Sequence, residues 1–124
     1  MKYAVSHKEN PTEYRRLESL ERRRKNPIGY LLSQVKCRAK RTGKEYDLDI
    51  ESLYVPTHCP IMGIPLFLTA GRRGPNSYSI DRVDNSRGYT KDNVRVISFL
   101  ANTRKGDLTI EQVESLLAYM KGQI

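Results

Sequence analysis

The chain has 124 residues, no tryptophan, only two phenylalanines and only two cysteines. Two cysteines do not make a disulfide scaffold, so an apolar core has to hold the fold. No apolar run approaches the roughly 20 residues that a membrane-spanning helix needs. The opening residues, M-K-Y-A-V-S-H-K-E-N, lack the apolar centre of a secretory signal. Internal repeats and low-complexity tracts are also missing. These absences lead us to expect one small cytoplasmic domain with no membrane partner. Acidic residues are scarce beside basic ones, 14 against 22, which leaves a formal charge of +8. Such an excess calls for a polyanionic partner, and nucleic acid comes before a membrane surface, with DNA expected first.

The basic residues are not spread evenly. After a loose arm over residues 1–10, a first helix is expected from about Pro11–Thr12, with Asn10 as its cap. Tyr14, Leu17 and Leu20 give it a thin apolar stripe. Arg15, Arg16, Arg22, Arg23, Arg24 and Lys25 load the rest of it, as either a solvated face or an arm that grips phosphates. Asn26-Pro27 breaks this helix and divides a basic arm, 1–26, from the main domain, 27–124. A second helix is expected from Pro27 to Thr42, ended by Gly43. Ile28, Leu31, Leu32, Val35 and Ala39 form its core face, and Lys36, Arg38, Lys40 and Arg41 crowd its end. Part of that cluster suits the helix dipole; the remainder makes Arg38, Lys40 and Arg41 candidate contacts to a nucleic-acid backbone. Cys37 reads as a small semi-buried residue.

Tyr46–Leu48 reads as extended, 49–54 as one or two helical turns, and Ile64–Leu68 as a strand. The connector over 69–76 presents Arg72 and Arg73 between glycines, a further candidate backbone contact. At the far end, Thr109 and Gln112 make a capping box. Ile110, Val113, Leu116, Leu117 and Met120 then give an amphipathic helix, ended by Gly122, that is expected to close the core.

The most informative stretch is 78–107. Tyr78–Arg82 alternates like a half-buried strand. Asp84-Asn85-Ser86-Arg87-Gly88 is turn-rich, with a glycine free to take positive φ. Val94–Ile97 is a returning β-branched strand. Ser98 caps a short helix that ends at Gly106. The order is therefore strand, loop, strand, helix, with Asp81 near the end of the first strand, Asn93 opening the second and Asn102 on the helix.

This stretch resembles the ββα-metal nucleases of the HNH superfamily, in particular small phage-encoded HNH-like proteins. The resemblance spans about residues 30–120. It also takes in Arg38-Ala39-Lys40-Arg41-Thr42-Gly43-Lys44-Glu45-Tyr46-Asp47-Leu48 and Cys59-Pro60-Ile61-Met62-Gly63-Ile64-Pro65-Leu66. It implies an α+β domain with a ββα-metal unit, N-terminal helices and a C-terminal packing helix. It implies a hydrolase, a metal-dependent endonuclease acting on DNA phosphodiesters, in a bacterial or phage-infected cytoplasm. One such site cuts one strand, so nicking is the expected outcome.

Carried over by position, the resemblance makes Asp81 and Asn102 the metal ligands and Asn93 the organiser of the loop. A carboxylate and an amide oxygen are hard donors that suit Mg²⁺ or Mn²⁺ better than Zn²⁺. Where the family has its base histidine, this chain has Arg82. Arginine stays protonated and cannot accept a proton, but it can clamp a phosphate. His58 and Asp84 are the alternative bases. Related proteins hold a structural zinc through paired C-x-x-C knuckles; here Met62 stands at the second cysteine position, so no such zinc is expected. Arg104 and Lys105 are candidate backbone contacts beside the scissile bond. Without the resemblance, Asp81 reads first as a partner for Arg82 or Arg95 and Asn102 as an exposed helix residue, while Arg104 and Lys105 read equally as exposed helix residues. The competing reading of function is a nucleic-acid-binding module that kept the HNH scaffold after losing its base.

Overall fold

Two asparagine–proline steps set up the helical half of the molecule. The Asn10 side chain accepts a hydrogen bond from the Glu13 amide, and Pro11 takes the first position of α1 (Pro11–Lys25). Asn26 repeats the device in both directions. Its backbone N–H donates to the Arg22 carbonyl and ends α1, while its side chain accepts from the Gly29 amide and opens α2 (Pro27–Thr42). A Cβ at Gly29 would lie 2.4 Å from Asn26 Nδ2, so this cap needs glycine. α2 ends at Gly43, at φ 70°. Ile28, Leu32, Val35 and Ala39 are buried along one face of α2, whereas α1 buries no residue. α1 rests on α2 with the Arg23 guanidinium 5.9 Å from the centre of the Tyr30 ring.

The structure is a computed structural model that describes residues 5–69 and 72–124. Residues 1–4 of the expected arm and 70–71 of the expected connector lie outside the described residues. The described residues form a small α+β domain of four α-helices and one two-stranded antiparallel sheet. None of their helices is long and apolar enough to cross a membrane.

The sheet pairs β1 (Tyr78–Arg82) with β2 (Val94–Ser98), Ile80 opposite Val96 and Asp81 opposite Arg95. Ile80, Val94, Val96 and Ile97 join the α2 stripe, Leu48, Cys59, Leu66, Tyr89 and Ala101 in one core. α3 (Phe99–Lys105) follows β2 without a connector. Ser98, fully buried, accepts from the Ala101 amide and turns the strand into the helix, and Gly106 at φ 48° ends it. α3 packs on both strands and α2 packs on β1. The strand–loop–strand–helix order read from residues 78–107 is the order the chain adopts.

Two expectations need correction. Ile64–Leu68 is not a strand. Pro65 has no N–H to give and makes only an isolated bridge with His58, while the Leu66 and Phe67 amides go to separate loops, at Thr57 and Asn76. Residues 49–54 hold one helical turn, as expected, the 3₁₀ turn Ile50–Ser52 capped by Asp49. The largest departure is α4 (Ile110–Met120), whose pattern predicts packing on the core. Its capping box forms and Gly122 stands at φ 74° after it, but among the described residues the helix touches no other element and has no buried residue. The hairpin already has α2 and α3 against it, and an amphipathic pattern does not say what covers the apolar face.

Candidate functional site

The site is built on the loop over residues 83–93. Asn93, 1% exposed, closes the neck of that loop from inside. Its Oδ1 accepts from the Asp84 amide at 3.0 Å, and its Nδ2 donates to the carbonyls of Asp84 at 3.1 Å and Gly88 at 2.9 Å. Its own carbonyl accepts from Val83 N–H at 2.7 Å. This is the organising position assigned to it from sequence.

Arg82 holds the same loop from the other side. Its Nη1 donates to the carbonyls of Asn85 at 3.1 Å and Arg87 at 3.0 Å, and its guanidinium stacks 5.0 Å from the centre of the Tyr89 ring. A phosphate clamp would therefore fall to the Nε and Nη2 side of the group, for which the described residues provide no acceptor. Asp84, one of the alternative bases, is a turn residue. Its Oδ1 accepts from the Ser86 amide and hydroxyl at 2.9 and 2.7 Å, and these bonds hold its carboxyl below the usual carboxylate range. Gly88 does not use positive φ. It is glycine because a Cβ there would meet the Glu45 backbone at 2.8 Å, where Tyr89 N–H reaches the Glu45 carbonyl.

Alternation along β1 places Ser79 and Asp81 on one face, and α3 lies against that face. Asn102 Nδ2 donates to Ser79 Oγ at 2.6 Å. Three residues further along α3, the Lys105 ammonium donates to Asp81 Oδ1 at 3.3 Å, to the Arg82 carbonyl at 2.8 Å and to Asn85 Oδ1 at 3.2 Å. Burial pushes the Asp81 carboxyl above its ordinary value, and Lys105 draws it part of the way back. Lys105 is thus a half-buried ion-pair partner inside the site, with 26% of its side chain exposed, and not the free backbone contact expected from sequence.

Asp81 and Asn102, with Arg38, Arg82, Asn85 and Tyr89 among their neighbours, line one pocket of about 290 Å³. His58 is not among the lining residues; it is exposed, with Nδ1 3.0 Å from Thr57 Oγ1. Cys59 is buried and its sulfur accepts from the Ser98 and Met62 amides, while Cys37 is exposed on α2.

Among the described residues no three His, Cys, Asp or Glu side chains are placed to share a metal. The oxygens gathered around Lys105 Nζ are one carboxylate, one side-chain amide and one main-chain carbonyl. All are hard donors, already arranged about a positive charge. No donor among the described residues reaches Asp81 Oδ2 or Asn102 Oδ1. The donor set fits one hard divalent cation better than zinc.

A second, open pocket of about 680 Å³ runs between α1 and α2. Arg22, Lys25, Arg38, Arg41 and Arg73 line it, and no acidic residue does. Arg38 lines both this groove and the Asp81 pocket. The Arg73 guanidinium also lies 5.4 Å from the Phe99 ring centre. Lys40, Arg72 and Arg104 are exposed but line neither pocket. Nothing in the sequence distinguishes Arg22 and Lys25 from the other basic residues of α1, and only the docking of α1 on α2 separates them from the solvated ones. Asn85 carries no signal in sequence beyond its place in a turn.

No family model, curated protein or solved structure matches the chain.

Proposed function

We propose that this protein is an HNH-type endonuclease that uses one Mg²⁺ or Mn²⁺ ion to hydrolyse phosphodiester bonds in DNA, one strand per site. The observation that carries the reading is the arrival of Asp81, from a strand, and Asn102, from a helix, at one pocket inside a strand–loop–strand–helix unit. The basic groove between α1 and α2 grips the nucleic-acid backbone through Arg22, Lys25, Arg41 and Arg73. Arg38, shared by groove and pocket, draws a phosphate from one toward the other. Asn93 and Arg82 keep the 83–93 loop in shape, so that Asp81 and Asn85 hold their positions. A divalent ion bound by Asp81 and Asn102 would supply Lewis-acid polarisation of the phosphodiester. Arg82 takes no part in removing a proton from water.

A second reading has its own support. Lys105 already neutralises Asp81, and an arginine stands at the base position; both suit a module that binds nucleic acid without cutting it. Supercoiled plasmid incubated with Mg²⁺ or Mn²⁺, beside Asp81→Ala, separates the two. Metal-dependent nicking that the variant loses supports the nuclease. Salt-sensitive retention of DNA with no cutting, across both metals, selects the binding module. Absence of any salt-sensitive DNA binding removes both and points to an acidic protein partner.

A further inference from the structure

We infer that the divalent ion is held by Asn85 and the main-chain carbonyl of Arg82 as well as by Asp81, at the point where Lys105 Nζ now stands, so that Lys105 and the metal exclude each other. This rests on the metal of the proposed function and adds two ligands and a competitor to it. Asp81 Oδ1, the Arg82 carbonyl and Asn85 Oδ1 converge on Nζ at 3.3, 2.8 and 3.2 Å. An ion pair needs one acceptor, but here two oxygens from β1 and one from the loop meet at one point. The Asn85 amide is fixed with its oxygen toward that point, because its Nδ2 donates to the Gly106 carbonyl at 3.1 Å. A carboxylate, a side-chain amide oxygen and a peptide carbonyl are the donor types of hard-cation sites. A second carboxylate, Asp107, lines the same pocket with no hydrogen bond or ion pair among the described residues, so Lys105 leaves acidic oxygen there without a direct partner.

Mg²⁺ draws its oxygens in to about 2.0–2.1 Å, so an ion among these three leaves no place for an ammonium. Lys105 is the last residue of α3, and 26% of its side chain is exposed. Its flexible stem lets the ammonium swing outward into water without moving the helix. Only molecules with Lys105 withdrawn take up metal, and the apparent affinity falls by that fraction.

Mn²⁺ binding to the full chain without DNA, read by electron paramagnetic resonance, tests this apart from any cutting. Lys105→Met keeps the stem and removes the charge. It is expected to raise Mn²⁺ affinity at least about tenfold. In that background Asn85→Ala lowers the affinity several-fold and Asn85→Asp raises it. A merely structural Asn85 would lose affinity in both, since both substitutions drop the bond to Gly106. Circular dichroism checks that Lys105→Met melts as the parent does, and Lys105→Gln replaces it if it does not. A folded Lys105 variant that binds Mn²⁺ no more tightly than the parent overturns the competition. Asn85→Ala without effect, or Asn85→Asp that weakens binding, removes Asn85 from the ligands. If this pattern holds while plasmid is never nicked, the nuclease reading fails and the cation site stands. If nicking occurs and the pattern is absent, the inference fails alone.

Discussion

At the scale of single residues, the site rests on a few side chains whose partners are now visible. On the proposed nuclease reading, Asp81→Ala is expected to lower metal-dependent nicking at least about a hundredfold, measured as the initial rate on plasmid, because the substitution removes the carboxylate that would hold the charge stabilising the reacting phosphate. Asn93→Ala leaves the Asp84 amide and the Gly88 carbonyl without their partner, and leaves the Asp84 carbonyl with only the Arg87 amide. The expected cost is about 2–4 kcal/mol of stability, read from chemical denaturation. Asp84 and Asp92 give the loop a pH response. Ser86 holds the first below its usual range, and Thr90 and then Arg87 hold the second. A carboxyl whose folded value is depressed contributes stability above its unfolded value and loses it as pH falls through the folded one. Acid titration followed by the amide resonances of Ser86 and Thr90 should show the loop holding below the ordinary carboxylate range and then loosening. The position of Asp81 in the first strand, and that of Asn93 ahead of the second, were legible. The clasp of Lys105 on Asp81 was not, because a lysine at the end of a helix gives no sign of facing inward.

At the scale of elements, the caps were the most readable feature. Asn10, Ser98 and Thr109 accept the amide hydrogen bonds expected of them, and Asn26, read only as a break between helices, proves to be a cap as well. Cap chemistry is local, so three or four residues of sequence contain it. Ile64–Leu68 has the apolar content of a strand, but Pro65 and the separate destinations of its amides prevent a ladder. Gly88 is needed, as its turn-rich setting suggests, but for a different cause. The need comes from Glu45, far earlier in the chain, which no local pattern contains. Gly88→Ala is accordingly expected to cost about 1–3 kcal/mol by pushing the 45–47 segment off Tyr89, and a lowered melting temperature would register it.

At the scale of the whole molecule, net charge gave an excess of cations without its location, and the fold gathers five of them along one groove. The groove exists only because α1 lies on α2, a tertiary contact made with thin apolar support. Replacing Arg38, Arg41 and Arg73 together by alanine should weaken DNA binding roughly equally across sequences. It should also flatten the slope of log affinity against log salt by about 0.9 for each phosphate no longer neutralised. A fluorescence anisotropy series between low and moderate salt measures both.

The joint at Asn26 has a consequence for how the molecule comes apart. One residue ends α1 and begins α2, and α1 contributes nothing to the shared core, so the segment before Pro27 can peel away while the remainder stays folded. Trypsin, which cuts after Arg and Lys, should therefore find Arg22, Arg23, Arg24 and Lys25 first. Brief digestion is expected to leave a resistant fragment beginning near Asn26, with its unfolding still a single sharp step on the calorimeter and its hold on DNA diminished.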